Sequence, residues 1–393
     1  INRYIVDRAA MLNAEKKEEI QIAPKNRTFA YKPFWNRFFS VLAGPLMNFV
    51  LAVIVFFIMG VCFGYADTSS TKVAEVSGPA MSAGIENGDK IAQAVLMPVY
   101  NSSSFLNRSI DSIQKQTLKD IEIIIINDGS TDNTLDIINS YAEKDNRIVV
   151  IDQENIGLGA SRNKGMKIAR GEYVTFLDAD DWFTEEAFEI AYNEAKAKDT
   201  DITMYQMINY DDETGRVYEN DWFNLNNLDE SFDGVVFSPE KTKDFLFDLS
   251  VSSCQKIYRN SFLKSIDASF PEGIYFEDMP FFFYVYLKAE RISIIRKHFY
   301  YRRKHNASIT HVVDANYLDT VEAGCELMRR MIDNGFYEDY KFDLLAYKIN
   351  GPRMALMDIT EDSKEPLFNL IKEDYEIIKE SEYYEDYLDN LGP

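Results

Sequence analysis

Residues 121–143 read IEIIIINDGSTDNTLDIINSYAE. Ile121–Ile126 is an almost unbroken β-branched run, which suits a strand buried on both faces. It ends in Asn127-Asp128-Gly129-Ser130, a turn composition, and Asn133–Glu143 then shows helical spacing. Working outward, the same strand-turn-helix unit repeats. Ala94–Val99 is apolar, ends in Pro98-Val99-Tyr100-Asn101, and precedes a helix over 103–116 with Phe105, Leu106, Ile110 and Ile113 on one face. Arg147–Ile151 is a third strand, followed by a glycine-bearing turn and a helix through Ala169. Tyr173–Leu177 is a fourth, ending in Asp178-Ala179-Asp180-Asp181, before a helix over Thr184–Lys198 and a fifth strand over Ile202–Ile208. Apolar strands alternating with amphipathic helices predict an α/β fold: a mostly parallel sheet flanked by helices.

The polar motifs all fall just past strand C-termini, the edge where open α/β sheets form their ligand crevice. Asp128, Asp178 and Asp180 are therefore expected in one cleft. A dinucleotide fold would carry G-x-G-x-x-G after its first strand, but that turn reads PVYNSSS, and after Gly157-Leu158-Gly159 the sixth motif position is Arg162. No P-loop pattern occurs. Carboxylates spaced D-x-D suit a hard divalent cation, Mg²⁺ or Mn²⁺, which bridges to phosphate oxygens.

The 393 residues suggest two to three domains at roughly 150 residues each. A balance of 42 basic to 64 acidic residues, net −22, argues against nucleic acid as a partner. Three scattered cysteines, Cys62, Cys254 and Cys325, exclude a disulfide framework. The charge is uneven: residues 1–93 carry 10 Lys/Arg and 8 Asp/Glu, leaving −24 for the other 300. Phe38 to Ala66 is a run of 29 uncharged residues, a transmembrane-helix candidate and the expected membrane contact. Lys25, Arg27, Lys32 and Arg37 precede it, so the positive-inside rule sets the N-terminal side in the cytoplasm.

Two resemblances carry these readings further. KPFWNRFFSVLAGPLMNFVLA (32–52) and VAEVSGPAMSAGIENGDKI (73–91) resemble, in that order, a transmembrane helix and the start of the PDZ domain of site-2 protease-like zinc metalloproteases. Such a protease needs H-E-x-x-H, and no histidine precedes His298, so 1–93 reads as a remnant without catalytic capacity. From residue 94, PVYN (98–101), IEIIIINDGSTDNT (121–134), ENIGLGASRNKG (154–165) and GEYVTFLDADDW (171–182) resemble the family 2 glycosyltransferases. That resemblance implies the GT-A nucleotide-sugar fold, an inverting metal-dependent transfer, a UDP-sugar donor and a saccharide or lipid-linked acceptor. It implies a base pocket at Pro98, Tyr100 and Asn101, Asp128 on the uracil, Arg162 near the base or diphosphate, Asp178 on the ribose, and Asp180 on the metal. The basic stretch YYRRKHNASIT (300–310) reads either as a solvated loop or as a segment closing over the diphosphate, with His305 a candidate further metal ligand. Phe276-Glu277-Asp278-Met279 resembles the family's E-D motif, making Asp278 the catalytic base and Glu277 its support or an acceptor contact. Lys256 reads either as a neighbour of the sugar diphosphate or as a surface lysine.

The expected domains are 1–93, a transferase domain over 94–310 (donor half 94–210, acceptor half 211–310), and a C-terminal helical region over 311–393. Nucleotide sugars are cytoplasmic, so a membrane-associated enzyme with its transferase domain in the cytoplasm is expected. The charge bias around 38–66 runs against that placement. A membrane-bound PDZ-like binding module and a nucleotide-binding protein without transfer activity are the alternatives.

Overall fold

A computed structural model describes residues 91–305 and 314–391, all within the unit spanning 68–393. The expected transmembrane helix and PDZ-like remnant lie outside the described residues. Among those described, no helix is long and apolar enough to cross a membrane.

The donor half follows the predicted order. Strand β1 (Gln93–Val99) leads to α1 (Leu106–Gln114), β2 (Ile121–Asp128), α2 (Thr134–Ala142), β3 (Ile148–Gln153), α3 (Leu158–Ile168) and β4 (Tyr173–Phe176). Strands β3-β2-β1-β4 lie side by side in parallel. Every residue of β1, β2 and β4 is buried, as their near-continuous apolar sequences require. Each isoleucine removed from water here contributes roughly 1.5–3 kcal/mol. Because β1 sends its connection one way to β2 and β4 lies on its other side, the crevice opens between the loops after β1 and β4.

The expectation of a mostly parallel sheet needs correction. The described sheet has nine strands in mixed orientation, ordered β3-β2-β1-β4-β8-β6-β9-β5 with β7 (Val217–Tyr218) beside β6. Strand β8 (Lys256–Arg259) runs antiparallel between β4 and β6 (Ile202–Asp211). It arrives after a long excursion through short 3₁₀ turns rather than a βαβ crossover, so nothing holds it parallel. Strand β9 (Ile292–Lys304) pairs parallel with β6 and antiparallel with β5 (Trp182–Phe183). The β5–β9 pairing sets Trp182 opposite Tyr301 and carries the chain's basic 300–305 stretch to the loop after β4.

Helix α4 (Ala187–Lys198) precedes β6, α5 (Asn260–Ser265) follows β8, and α6 (Asp278–Lys288) precedes β9. Helices α7 (Asp319–Asp333), α8 (Tyr337–Asp358), α9 (Glu361–Lys379) and α10 (Tyr384–Leu391) form the expected C-terminal helical region. Lys348 on α8 is buried and pairs with Asp374 on α9.

Candidate active site

Helix α3 is the first piece of the site. Gly157 enters it at φ +91°, and a Cβ on Gly159 would lie 2.2 Å from the Pro271 carbonyl oxygen. Glycine at 159 is what lets the first turn of α3 touch the 270–271 segment. Asn163 secures the approach: its Nδ2 donates to the Phe270 carbonyl (2.9 Å) and its Oδ1 accepts from the Phe270 N–H (2.7 Å). Phe270 stacks on Phe281 of α6, ring centres 3.7 Å apart. Gly159→Ala should therefore cost about 1–3 kcal/mol through overpacking. Urea denaturation of the variant checks this, and an unchanged midpoint would contradict it.

This packing delivers Arg162 into the middle of the molecule. Its side chain is buried, with the guanidinium 5.1 Å from the Phe270 ring centre. It donates from Nη2 to Asp178 Oδ1 (2.9 Å), and from Nη1 to Glu277 Oε1 (2.5 Å) and Asp278 Oδ1 (2.6 Å). Residues 115 and 116 positions apart thus share one cation. Burial works against the charge, but Asp278, Asp178 and Glu277 together hold the guanidinium well above its ordinary value.

The three carboxylates differ. Burial, offset by Arg162 and reinforced by Asp278, pushes the Glu277 carboxyl up to about 7. Burial also raises Asp178, against Arg162 and with Asp180 adding to it. Within the Glu277–Asp278 pair, the Glu277 side chain is only 7% exposed while Asp278 keeps 23%, so Asp278 is the more open of the two. Asp278 Oδ2 accepts from the Ser253 N–H at 3.2 Å. Just ahead of the pair, Phe276 is held at φ +64°, a conformation costing about 1–3 kcal/mol. Residues of the C-terminal region hold it there. Tyr317 meets the Phe276 ring edge-on at 5.0 Å, and Asp319 accepts from the Tyr275 N–H at 2.8 Å.

The loop after β4 is tied to β9. Tyr300 accepts from the Asp178 N–H (3.2 Å) and donates to Asp181 Oδ2 (2.7 Å), while the Arg303 N–H donates to Asp181 Oδ1 (2.6 Å). Burial lifts the Asp181 carboxyl well above its usual range, and Asp180 and Asp178 add to the shift. The clasp leaves Asp180 facing His305, with Oδ2 to Nε2 at 2.9 Å. Among the described residues no three His, Cys, Asp or Glu side chains cluster closely enough to hold a metal by themselves.

A second part of the site is formed by the loops after β1, β2 and β3. Pro98 is buried in β1, and Tyr100 is 52% exposed. Asn101, at φ +47°, donates its N–H to Ser130 Oγ (3.0 Å) and accepts from the Thr131 N–H (2.8 Å), lacing the first two loops together. Asp128 Oδ1 accepts from Gln153 Nε2 (2.8 Å) and the Ile156 N–H (2.9 Å), and Oδ2 from the Gly157 N–H (2.9 Å). Each carboxylate oxygen has two lone pairs, so Oδ2 retains acceptor capacity. Gly129, at φ +73°, permits this closeness: a Cβ there would lie 2.6 Å from the Asn155 nitrogen.

The structure thus brings together Arg162, Asp178, Glu277 and Asp278, and separately Asp180 and His305. Asp128, Pro98, Tyr100 and Asn101 lie on neighbouring loops. Asp181, Tyr300 and Ser253 were not singled out by sequence; the Asp-Asp doublet was the only cue, and it reads equally as a helix start. Lys256 is neither at the surface nor free to reach a diphosphate, because it is wholly buried with its ammonium on backbone carbonyls. Trp182 is packed between Arg108, 3.3 Å from its ring centre, and Tyr301, stacked at 5.2 Å.

Comparison with known proteins places these features in context. The profile of Glycosyl transferase family 2 matches residues 94–265. EpsH of Bacillus subtilis (strain 168), named as a glycosyltransferase, is 32% identical over 273 residues, covering 68% of this chain and 77% of that protein. The poly(ribitol-phosphate) beta-glucosyltransferase of Bacillus spizizenii is 32% identical over 267 residues, 65% of this chain and 39% of that one. The crystal structure of S. aureus TarS 1–349 in complex with UDP-GlcNAc aligns at TM-score 0.49 and 23% identity, over 75% of this chain and 89% of that chain.

Proposed function

The chain belongs to glycosyl transferase family 2 and is a glycosyltransferase; from that premise we propose that it moves a sugar from a UDP-sugar to an acceptor hydroxyl, saccharide or lipid-linked, with inversion at the anomeric carbon. The observation that carries this reading is Arg162, which joins a donor-side carboxylate, Asp178, to the acceptor-side pair Glu277 and Asp278.

In this mechanism the loops at Pro98–Asn101 and Asp128 take the base, and Asp178 takes the ribose. The acceptor oxygen attacks the anomeric carbon from the face opposite the diphosphate. Asp278 receives the hydroxyl proton as the new C–O bond forms, and the bond to the diphosphate breaks to release UDP. Glu277, buried behind Asp278, keeps Arg162 in place. Aligning the reactants supplies much of the acceleration.

Asp180 and His305 would hold a divalent cation such as Mg²⁺ or Mn²⁺. Mg²⁺ or Mn²⁺ bound there would neutralise charge building on the leaving diphosphate.

The test is UDP release by the full chain from UDP-glucose, UDP-galactose and UDP-N-acetylglucosamine, with Mg²⁺ or Mn²⁺ and then with chelator. Asp180→Ala is expected to lower kcat/KM by about 10²-fold or more, the scale on which charge-stabilising groups act, and chelation to do the same to wild type. UDP-sugar binding without turnover would favour a nucleotide-binding protein, and no binding of any of the three would overturn the reading.

A further inference from the structure

Lys256 opens β8, is fully buried, and takes no part in the mechanism above. Its Nζ donates to the Ser250 carbonyl (2.8 Å) and the Ser252 carbonyl (2.7 Å). The same ammonium lies 4.5 Å from the ring centre of Phe282, on the first turn of α6 just past Asp278. The next residue after its second acceptor, Ser253, gives its N–H to Asp278 Oδ2. Lys256 therefore touches both sides of that contact: the turn that supplies the N–H and the helix that carries the carboxylate.

A buried ammonium held by neutral carbonyls is a poor way to stabilise a core, and an apolar residue of similar volume would serve that purpose better. Burial pushes the amine down to about 7. The ammonium has one arrangement that a methyl group cannot reproduce: two hydrogen bonds fixing the 250–252 turn against α6. We infer that Lys256 is a positioning residue for Asp278, holding the Ser250–Ser253 turn so that the Ser253 N–H orients the base carboxylate. The inference rests on Asp278 being the base.

Displacing a catalytic group by about 1 Å can cost on the order of 10²-fold in rate. Lys256→Met should thus lower kcat about 10- to 100-fold with the donor KM within about twofold. Ser253→Pro tests the same link from its other end. Ser253 is the first residue of a 3₁₀ turn, and Ser252 before it sits at φ −54°, ψ 121°, which tolerates a following proline. The substitution removes the N–H that Asp278 accepts, together with the buried Ser253 hydroxyl beside Cys254, and puts a ring carbon where the N–H pointed.

The experiment measures kcat and donor KM for UDP release from UDP-glucose, UDP-galactose and UDP-N-acetylglucosamine by the full chain. It compares wild type, Lys256→Met, Ser253→Pro, the double variant and Asp278→Asn. Both single variants should lose kcat alone, and the double should be no slower than the worse single, because the two act through one contact. Wild-type kcat in either single variant, or a double loss equal to the product of the singles, overturns the positioning role. Should Lys256→Met not fold, Lys256→Leu, which likewise has no donor, replaces it with the same criteria. If Asp278→Asn turns over at the wild-type rate, the assignment of the base has failed. If Asp278→Asn is slow while Lys256→Met is not, the positioning role alone has failed.

Discussion

Replacing Asp278 with asparagine is expected to leave a folded chain that binds UDP-sugar normally and transfers it about 10²–10⁴-fold more slowly, the range a positioned general base supplies. The side chain keeps its size and its approach to Arg162, but it can no longer accept a proton. Because both carboxylate oxygens of Asp278 accept hydrogen bonds, one from Arg162 and one from the Ser253 N–H, the amide loses one of the two contacts. A modest loss of stability should accompany the rate effect. Glu277→Gln should slow the reaction much less, since Glu277 is buried and faces Arg162 rather than the open side of the site. Steady-state kcat and donor KM measured side by side decide it. An Asp278→Asn chain within threefold of wild type would remove Asp278 from the mechanism.

The second large effect falls on stability. Arg162→Met leaves Glu277, Asp278 and Asp178 facing one another without their shared cation. Removing one partner of a buried ion cluster costs about 3–5 kcal/mol. The pH dependence has a definite sign. Glu277 already titrates near 7 instead of its ordinary 4.5, so the folded state holds a proton through that window which the unfolded state has released. Stability therefore falls as pH rises from about 4.5 to about 7, because the folded state binds more protons than the unfolded one. Without Arg162, which lowers Glu277 and Asp178, that fall should steepen. The variant should come closest to wild type below pH 4.5 and differ most at and above neutrality. Denaturant titrations at several pH values test this, and a penalty independent of pH would show that the cluster does not exchange protons as described.

The donor half was readable in sequence because its signals are local. A β-branched run such as Ile121–Ile126, a turn such as Asn127–Ser130 and a helix after it need only about twenty consecutive residues to declare themselves. The parallel edge then places Asp128 and Asp178 without further information. Strand β8 was not readable: Lys-Ile-Tyr-Arg is four residues long and carries an inward-facing lysine, which no alternation rule favours. Strand β9 was obscured for a related reason, since its end, Tyr-Tyr-Arg-Arg-Lys, looks like a solvated loop until Asp181 is seen to accept from Tyr300 and the Arg303 N–H. Arg162 shows the limit most directly. Its helix was predictable, but two of its three partners lie more than a hundred residues away, and sequence spacing holds no trace of which carboxylates it meets.

That separation bears on how the enzyme fails. Closing a loop of 116 residues between Arg162 and Asp278 costs on the order of 4 kcal/mol in chain entropy alone. No single ion pair offsets that; the Phe270–Phe281 stack and the sheet between β4 and β9 must hold the two ends in register. The active site consequently has no independent existence as a local structure. It forms only when the cooperative fold forms and disappears with it, so there is no partly unfolded state in which the donor side persists with a competent base.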